Sequence, residues 1–131
     1  MNQFGGEEMN FPMDDSRPIF MQIAERIEDD IINGELPEES QVPSTNQFAA
    51  LYRINPATAA KGIHLLVDQG ILYKKRGIGM FVQTGAREQL LEKRREQFYA
   101  QYIPEMIREA EKLGITLEKL IEAIRKGGEE R

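Results

Sequence analysis

"INPATAAKGIHLLVDQGILYKKRGIGMFV", residues 54–82, is the stretch whose reading decides the fold. Asn55 followed by Pro56 reads as a helix N-cap with proline at the first helical position, where its missing N–H costs nothing. The helix is predicted to run to about Gln69, with Gly70 ending it. At about 100° per residue, Ala59, Ile63, Leu66 and Val67 fall on one side and form a core face. Ala57, Thr58, Lys61, His64 and Asp68 fall on the other. Two short β-prone runs, "ILYKK" and "MFVQ", then flank a tip containing Gly77 and Gly79, which is a hairpin signal. The tip, "KKRGIG", is purely cationic in a chain whose net charge is −5.

Working backward, "PSTNQFAALY" predicts a short helix. Ser44 is its cap and Gln47, three residues on, completes a capping box. Phe48, Leu51 and Tyr52 supply its apolar side. Two helices joined through "LYRINPAT" make a helix-turn-helix, and a hairpin directly after the second helix makes a wing. Farther back, Ile19, Phe20, Ile23, Ile27 and Ile31 share one face of a first helix. Asp15 or Ser16 is expected to cap it, Pro18 to lie in its first turn and Gly34 to stop it. Leu36 to Val42 reads as a connector. Residues 1–15 read as a flexible acidic tail, because Gly5 and Gly6 weaken any helix and the apolar residues show no period.

Forward from the wing, Thr84 to Arg87 reads as a linker, and the rest is helical. Leu90, Leu91, Phe98 and Tyr102 lie among dense charges. Pro104 either kinks this helix or starts another. Ile103, Met106, Ile107, Ala110 and Leu113 continue the apolar face to Gly114. Thr116 caps a last helix carrying Leu117, Leu120, Ile121 and Ile124. Some 44 residues cannot enclose a sufficient core alone. The expected dimer interface is therefore Leu91, Phe98, Tyr102, Met106, Ile107, Leu113, Leu117, Leu120, Ile121 and Ile124, because twofold partners bury the same patch on both sides. The expected organisation is an N-terminal tail (1–15), a winged helix-turn-helix domain (16–84) and a helical dimerisation segment (85–131). The fold class is mostly α with one small β-hairpin.

Charge divides the chain the same way. Residues 1–40 hold two basic and eleven acidic side chains. Residues 41–87 hold six basic and one acidic, Asp68. Only the middle third attracts a polyanion, and local field decides what a surface binds. Absence of cysteine excludes disulfides and thiol chemistry, which suits a reducing cytoplasm. The first residues hold no basic region followed by an apolar run, so no signal peptide is read there, and no stretch is apolar enough to span a bilayer. The single histidine lies on the outward side of a helix, and no metal-ligand cluster, nucleophile motif or phosphate loop appears. These features argue against an enzyme, and no cofactor is expected.

The pattern predicts a double-stranded DNA binder. Ser44, Thr45 and Asn46 stand at a helix N-terminus, where exposed N–H groups attract phosphate. Asn55, Ala57, Thr58 and Lys61 open the recognition helix; small residues let its backbone approach a groove and the lysine reaches a phosphate or guanine edge. Lys75, Arg76 and Gly77 address the minor groove or its phosphates. The alternative is a winged-helix protein-interaction module without specific DNA readout. A small-molecule effector would be lined by Phe98, Tyr99, Tyr102 and Met106, although such residues at helical spacing usually form core.

"RPIFMQIAERIEDDIINGEL" together with "VPSTNQFAALYRINPATAAKGIHLLVDQGILYKKRGIGMFV" resembles the GntR family of bacterial transcription regulators over roughly residues 17–83. The opening P-I-F-x-Q-I, the P-S box, the N-P-x-T helix start and the R-G-x-G-x-F-V wing occur in order. The Asn55-Pro56 start and the short helical C-terminal segment look most like the YtrA subfamily. The resemblance implies a cytoplasmic winged-helix homodimer, usually a repressor, often of a transporter operon. The chain departs from the family at Asn46, where many members carry arginine, and at Ala59 and Gly62, where a larger apolar residue and alanine are usual.

Overall fold

The computed structural model describes residues 16–130; the expected acidic tail lies outside them. The chain divides into two compact units, within a helix, between Leu91 and Glu92.

The first unit is built on three helices. Helix α1, Ile19–Ile32, places Ile23, Ile27 and Ile31 in the core. It starts from Pro18 with no side-chain cap, not from Asp15 or Ser16. Proline's fixed φ presets the entry, so no oxygen-bearing cap is needed there. Gly34, at φ +84°, ends it. Helix α2, Thr45–Tyr52, begins with the complete capping box: Gln47 N–H donates to Ser44 Oγ at 3.1 Å and Ser44 N–H donates to Gln47 Oε1 at 2.8 Å. Helix α3, Pro56–Asp68, is capped by Asn55, whose Oδ1 accepts from Ala57 N–H at 2.8 Å. Ala59, Ile63 and Leu66 turn inward, joined by Gly62 and flanked by half-buried Val67.

At Gly62, α3 lies close against α1. A Cβ there would lie 2.7 Å from the carbonyl oxygen of Phe20 and 3.1 Å from Ile23 Cβ. A methyl group would force the helices apart, which accounts for glycine at this position.

Strands β1, Leu72–Lys75, and β2, Gly79–Val82, pair antiparallel, with Leu72 opposite Val82 and Lys75 opposite Gly79. The supposed connector Leu36–Val42 does more than connect. Gln41 bridges to Phe81, and Val42 N–H donates to Met80 O at 2.9 Å. The hairpin therefore has a short third rung from the α1–α2 segment. The remaining core is Ala24, Leu36, Val42, Phe48, Ala49, Tyr52, Ile71 and the two strand ends. Ala86 and Leu90, from the start of α4 (Ala86–Gln97), are buried in the same cluster.

The second unit is helical. The end of α4 leads into a π-helical turn, Phe98–Tyr102, and then α5, Ile103–Lys112. Pro104 starts another helix, one of the two expected outcomes: it stands in the first turn of α5, directly after the π-helical turn. Its ring would clash with the carbonyl four residues back in a regular α-helix. The chain widens by one residue just before it, and Ile103 N–H donates to Phe98 O instead. Gly114, at φ +72°, ends α5. Helix α6, Leu117–Glu129, is capped by Thr116, whose Oγ1 accepts from Lys119 N–H at 3.3 Å. Among the described residues of this unit only Ala110 is fully buried. No helix among the described residues is long and apolar enough to cross a membrane.

Candidate nucleic-acid interface

Three elements of the first unit carry the residues expected to meet DNA. At the start of α2, Ser44 and Asn46 are exposed and Thr45 half-buried. The capping box occupies Ser44 Oγ as an acceptor, but the hydroxyl hydrogen remains a donor. The N–H groups of Thr45 and Asn46, at the first helical positions, have no intrahelical acceptor. A phosphate oxygen is the natural partner for such a set.

On α3, Asn55, Ala57, Lys61 and His64 are exposed and Thr58 is half-buried. Asn55 spends its oxygen on the cap and keeps its amide hydrogens. The opposite face of the helix is sealed: Ala59, Ile63 and Leu66 are essentially inaccessible. Phe20, Ala57, Ala60, Lys61, His64, Leu65 and Asp68 line a shallow depression along the exposed face. The Lys61 ammonium sits over the Phe20 ring, 4.1 Å from its centroid.

In the wing, Lys74, Lys75, Arg76 and Gly77 are exposed. The Lys75 ammonium lies 4.3 Å from the centroid of Phe81. Both lysines singled out as DNA contacts thus rest on a phenylalanine from another segment. A cation over a ring face is worth about 0.5–1 kcal/mol at exposed sites, enough to bias a flexible stem without burying its charge. Periodicity marked Phe20 only as a core-face residue, so this role went unread.

The base of the wing is tied by Glu39. Its carboxylate accepts hydrogen bonds from Thr84 Oγ1 and Tyr73 Oη. Those bonds, Thr84's foremost, hold the Glu39 carboxyl below the ordinary glutamate value, and the same contact raises the Tyr73 phenol. Glu39 itself takes a left-handed φ of +66°. Glu38 accepts from Arg87 N–H at 3.2 Å, and Arg87 Nε donates to Ile32 O at 3.0 Å. These two glutamates, read before only as acidic composition, fasten the wing and the first turn of α4 to the α1–α2 segment.

Of the expected interface residues in the second unit, Leu91 (at the edge of the first unit), Met106 and Leu120 are half-buried. Phe98, Tyr102, Ile107, Leu113, Leu117, Ile121 and Ile124 are exposed. Phe98 stands edge-on to both Tyr99 and Tyr102, with ring centroids 5.5 and 6.0 Å apart.

A capped helix-turn-helix followed by a hairpin braced against its core defines a winged helix-turn-helix protein, the class that reads duplex DNA with its second helix. Residues 20–82 match the family described as bacterial regulatory proteins, gntR family. The crystal structure of a GntR-family transcriptional regulator from Bacteroides thetaiotaomicron is 33% identical, with a TM-score of 0.69, covering 86% of this chain and 97% of that one. The HTH-type transcriptional repressor YtrA of Bacillus subtilis (strain 168) is 29% identical over 84% of this chain and 84% of its own length. The HTH-type transcriptional repressor NagR of the same organism is 34% identical over 64% of this chain. The chain spans only 35% of NagR's length. The chain belongs to the GntR family and is a YtrA-like, DNA-binding transcription regulator, not an enzyme.

Proposed function

We propose that the protein is a homodimeric repressor that places two winged units on the half-sites of one operator. The observation that carries this reading is the recognition helix α3. Its inner face is sealed into the core, while Ala57, the Asn55 amide and Lys61, whose ammonium rests over the Phe20 ring, are exposed at its N-terminal end. In this reading Ala57, Thr58 and Lys61 contact major-groove base edges. Ser44, Thr45 and Asn46 hold the backbone, and Lys75, Arg76 and Gly77 hold the minor groove or its phosphates. Asn46 carries no charge, so the α2 contact relies on helix N–H groups and amide hydrogen bonds rather than on a guanidinium. Two relatives named as repressors, YtrA and NagR, support the sign of regulation.

The second unit supplies the partner surface. Exposed apolar side chains on α5 and α6, from Ile107 to Ile124, are covered by the same face of a second chain. The regulated genes, in this reading a small transporter operon, lie next to the protein's own gene. Half-sites are then about 10 bp apart, or a multiple of that.

The test is a salt series of gel shifts with DNA from upstream of its own gene. Retention of one fragment against excess competitor, with a log–log salt slope near about −5 for some six ionic contacts, is the expected result. Retardation of every fragment alike, with a slope near about −1, would replace this reading with the protein-interaction one.

A further inference from the structure

The wing tip is a three-residue loop, Arg76 to Ile78, between the paired Lys75 and Gly79. Such tips normally hold glycine, asparagine or aspartate. Here the last tip residue is isoleucine, and its side chain is 63% exposed. The residues after it turn inward: Met80 and Phe81 are half-buried and Val82 is inaccessible. Ile78 therefore contributes nothing to the core of this chain.

A single exposed apolar residue is ordinary. The unusual feature is how firmly its backbone is held. Ile78 N–H donates to Lys75 O at 2.9 Å. Ile78 O accepts from Gln41 Nε2 at 3.0 Å. Gln41 is itself fixed by its bridge to Phe81 and by the adjacent Val42–Met80 hydrogen bond. Gly79 makes room for this contact. It has φ +147°, and a Cβ there would stand 2.5 Å from Gln41 Nε2. Lys75 O, through the N–H, and Gln41 Nε2, through the carbonyl, thus hold the Ile78 backbone in place, while its side chain is largely exposed.

We propose that Ile78 is an apolar contact of the wing with the floor or sugar rims of the DNA minor groove, and that Gln41 is the residue that positions it. This rests on the DNA-binding reading above. The minor groove is only about 6 Å wide and is walled by sugar C–H groups, which an aliphatic side chain fits and a solvated one does not. Proteins that enter it commonly lead with an aliphatic or aromatic wedge. Lys75 and Arg76, on the approach to the tip, neutralise the phosphate rims that would otherwise repel an uncharged intruder.

The experiment uses the full chain and a duplex selected from random DNA by the unaltered protein, with affinity followed by fluorescence anisotropy across salt. Ile78→Ser is expected to weaken binding about tenfold, the worth of one buried aliphatic side chain. Its log–log salt slope stays that of the parent, because no ionic contact is lost. Arg76→Ala, by contrast, lowers the slope by about 1. Ile78→Leu keeps most of the affinity. Gln41→Ala weakens binding about threefold and costs nothing further in the Ile78→Ser background, since both act through one contact. Melting temperatures matching the parent show that each variant is folded. Parent-like binding by Ile78→Ser, a slope that changes with it, or simple additivity with Gln41→Ala would each overturn the proposal while leaving the DNA-binding reading intact. Failure of the parent to select any sequence would overturn both.

Discussion

The two units use apolar side chains in opposite ways. In the first, Ile23, Ile27, Phe48, Ile63, Leu66, Leu72, Val82 and Leu90 are inaccessible and close a single core. In the second, Leu113, Leu117 and Ile124 are each more than half exposed, and among the described residues only Ala110 is buried. Both have strongly patterned helices. The difference is whether the chain supplies a covering surface. Three helices and a braced hairpin can surround one another; a helical run and one more helix cannot. The first unit closes a core within itself, and the second leaves its apolar face exposed.

Core truncation draws the contrast most sharply. Phe48→Ala is expected to cost about 3–5 kcal/mol, since a large ring leaves a cavity that the helices cannot fill. Chemical denaturation followed by circular dichroism measures it. A loss under about 1 kcal/mol would mean that the first unit is not closed in the way described.

Asp30 is a weakness inside that closed unit. Its side chain is inaccessible, and Oδ1 is 3.7 Å from Arg26 Nε. Burial raises its pKa from 3.8 to about 7; Arg26 lowers it, while Asp29 and Glu35 add to the rise. The folded state therefore holds this proton more tightly than the unfolded chain. Its contribution to stability is complete below about pH 4 and is lost as pH rises through about 7. Glu39, with its depressed pKa, acts in the opposite sense, but only in the acid range below the usual glutamate value. Stability is expected to fall by as much as a few kcal/mol between pH 5 and 8. Asp30→Asn, neutral throughout, is expected to flatten that slope. An unchanged pH profile in the variant would assign the dependence elsewhere.

Smaller effects test the joints of the first unit. Gly62→Ala gains helix propensity of about 1 kcal/mol, yet drives a methyl onto the Phe20 carbonyl. A net loss of about 1–2 kcal/mol is expected; a more stable variant would show that α1 and α3 can separate freely. Ser44→Ala removes the cap of α2 and is expected to cost about 1 kcal/mol, together with weaker DNA retention.

The smallest effect on folding is expected in the second unit. Ile121→Ser changes an exposed residue on α6 and is expected to leave the first unit's unfolding transition where it was. Sedimentation should instead shift the protein from dimer toward monomer. Destabilisation on the scale of Phe48→Ala, with no change in mass, would erase the contrast between the units.

Much of this was legible in the chain because the signals are local. The Ser44–Gln47 box, the Asn55-Pro56 start and the Thr116 cap each join atoms two or three residues apart. The faces of α3 follow from a fixed angle per residue. The basic, glycine-bearing tip announces a wing by composition alone.

The remainder depends on partners far apart in sequence. Gln41 reaches Ile78, Glu39 reaches Tyr73 and Thr84, and Lys61 lies over Phe20 only once the hairpin and helices have packed. The same holds for Ala86 and Leu90, which joined the winged core although the linker seemed to end it. Asp30 reads as one more acidic residue until α1 is buried around it. Pro104 left two outcomes open; it starts α5, and the π turn before it was not legible. The sequence by itself determined most of the elements, the caps of α2, α3 and α6 and the basic face, because propensity and periodicity act over a few residues. Only the tertiary structure decided which side chains brace the wing, seat the lysines and bury an acid, because those are contacts between surfaces that exist only after the elements have met.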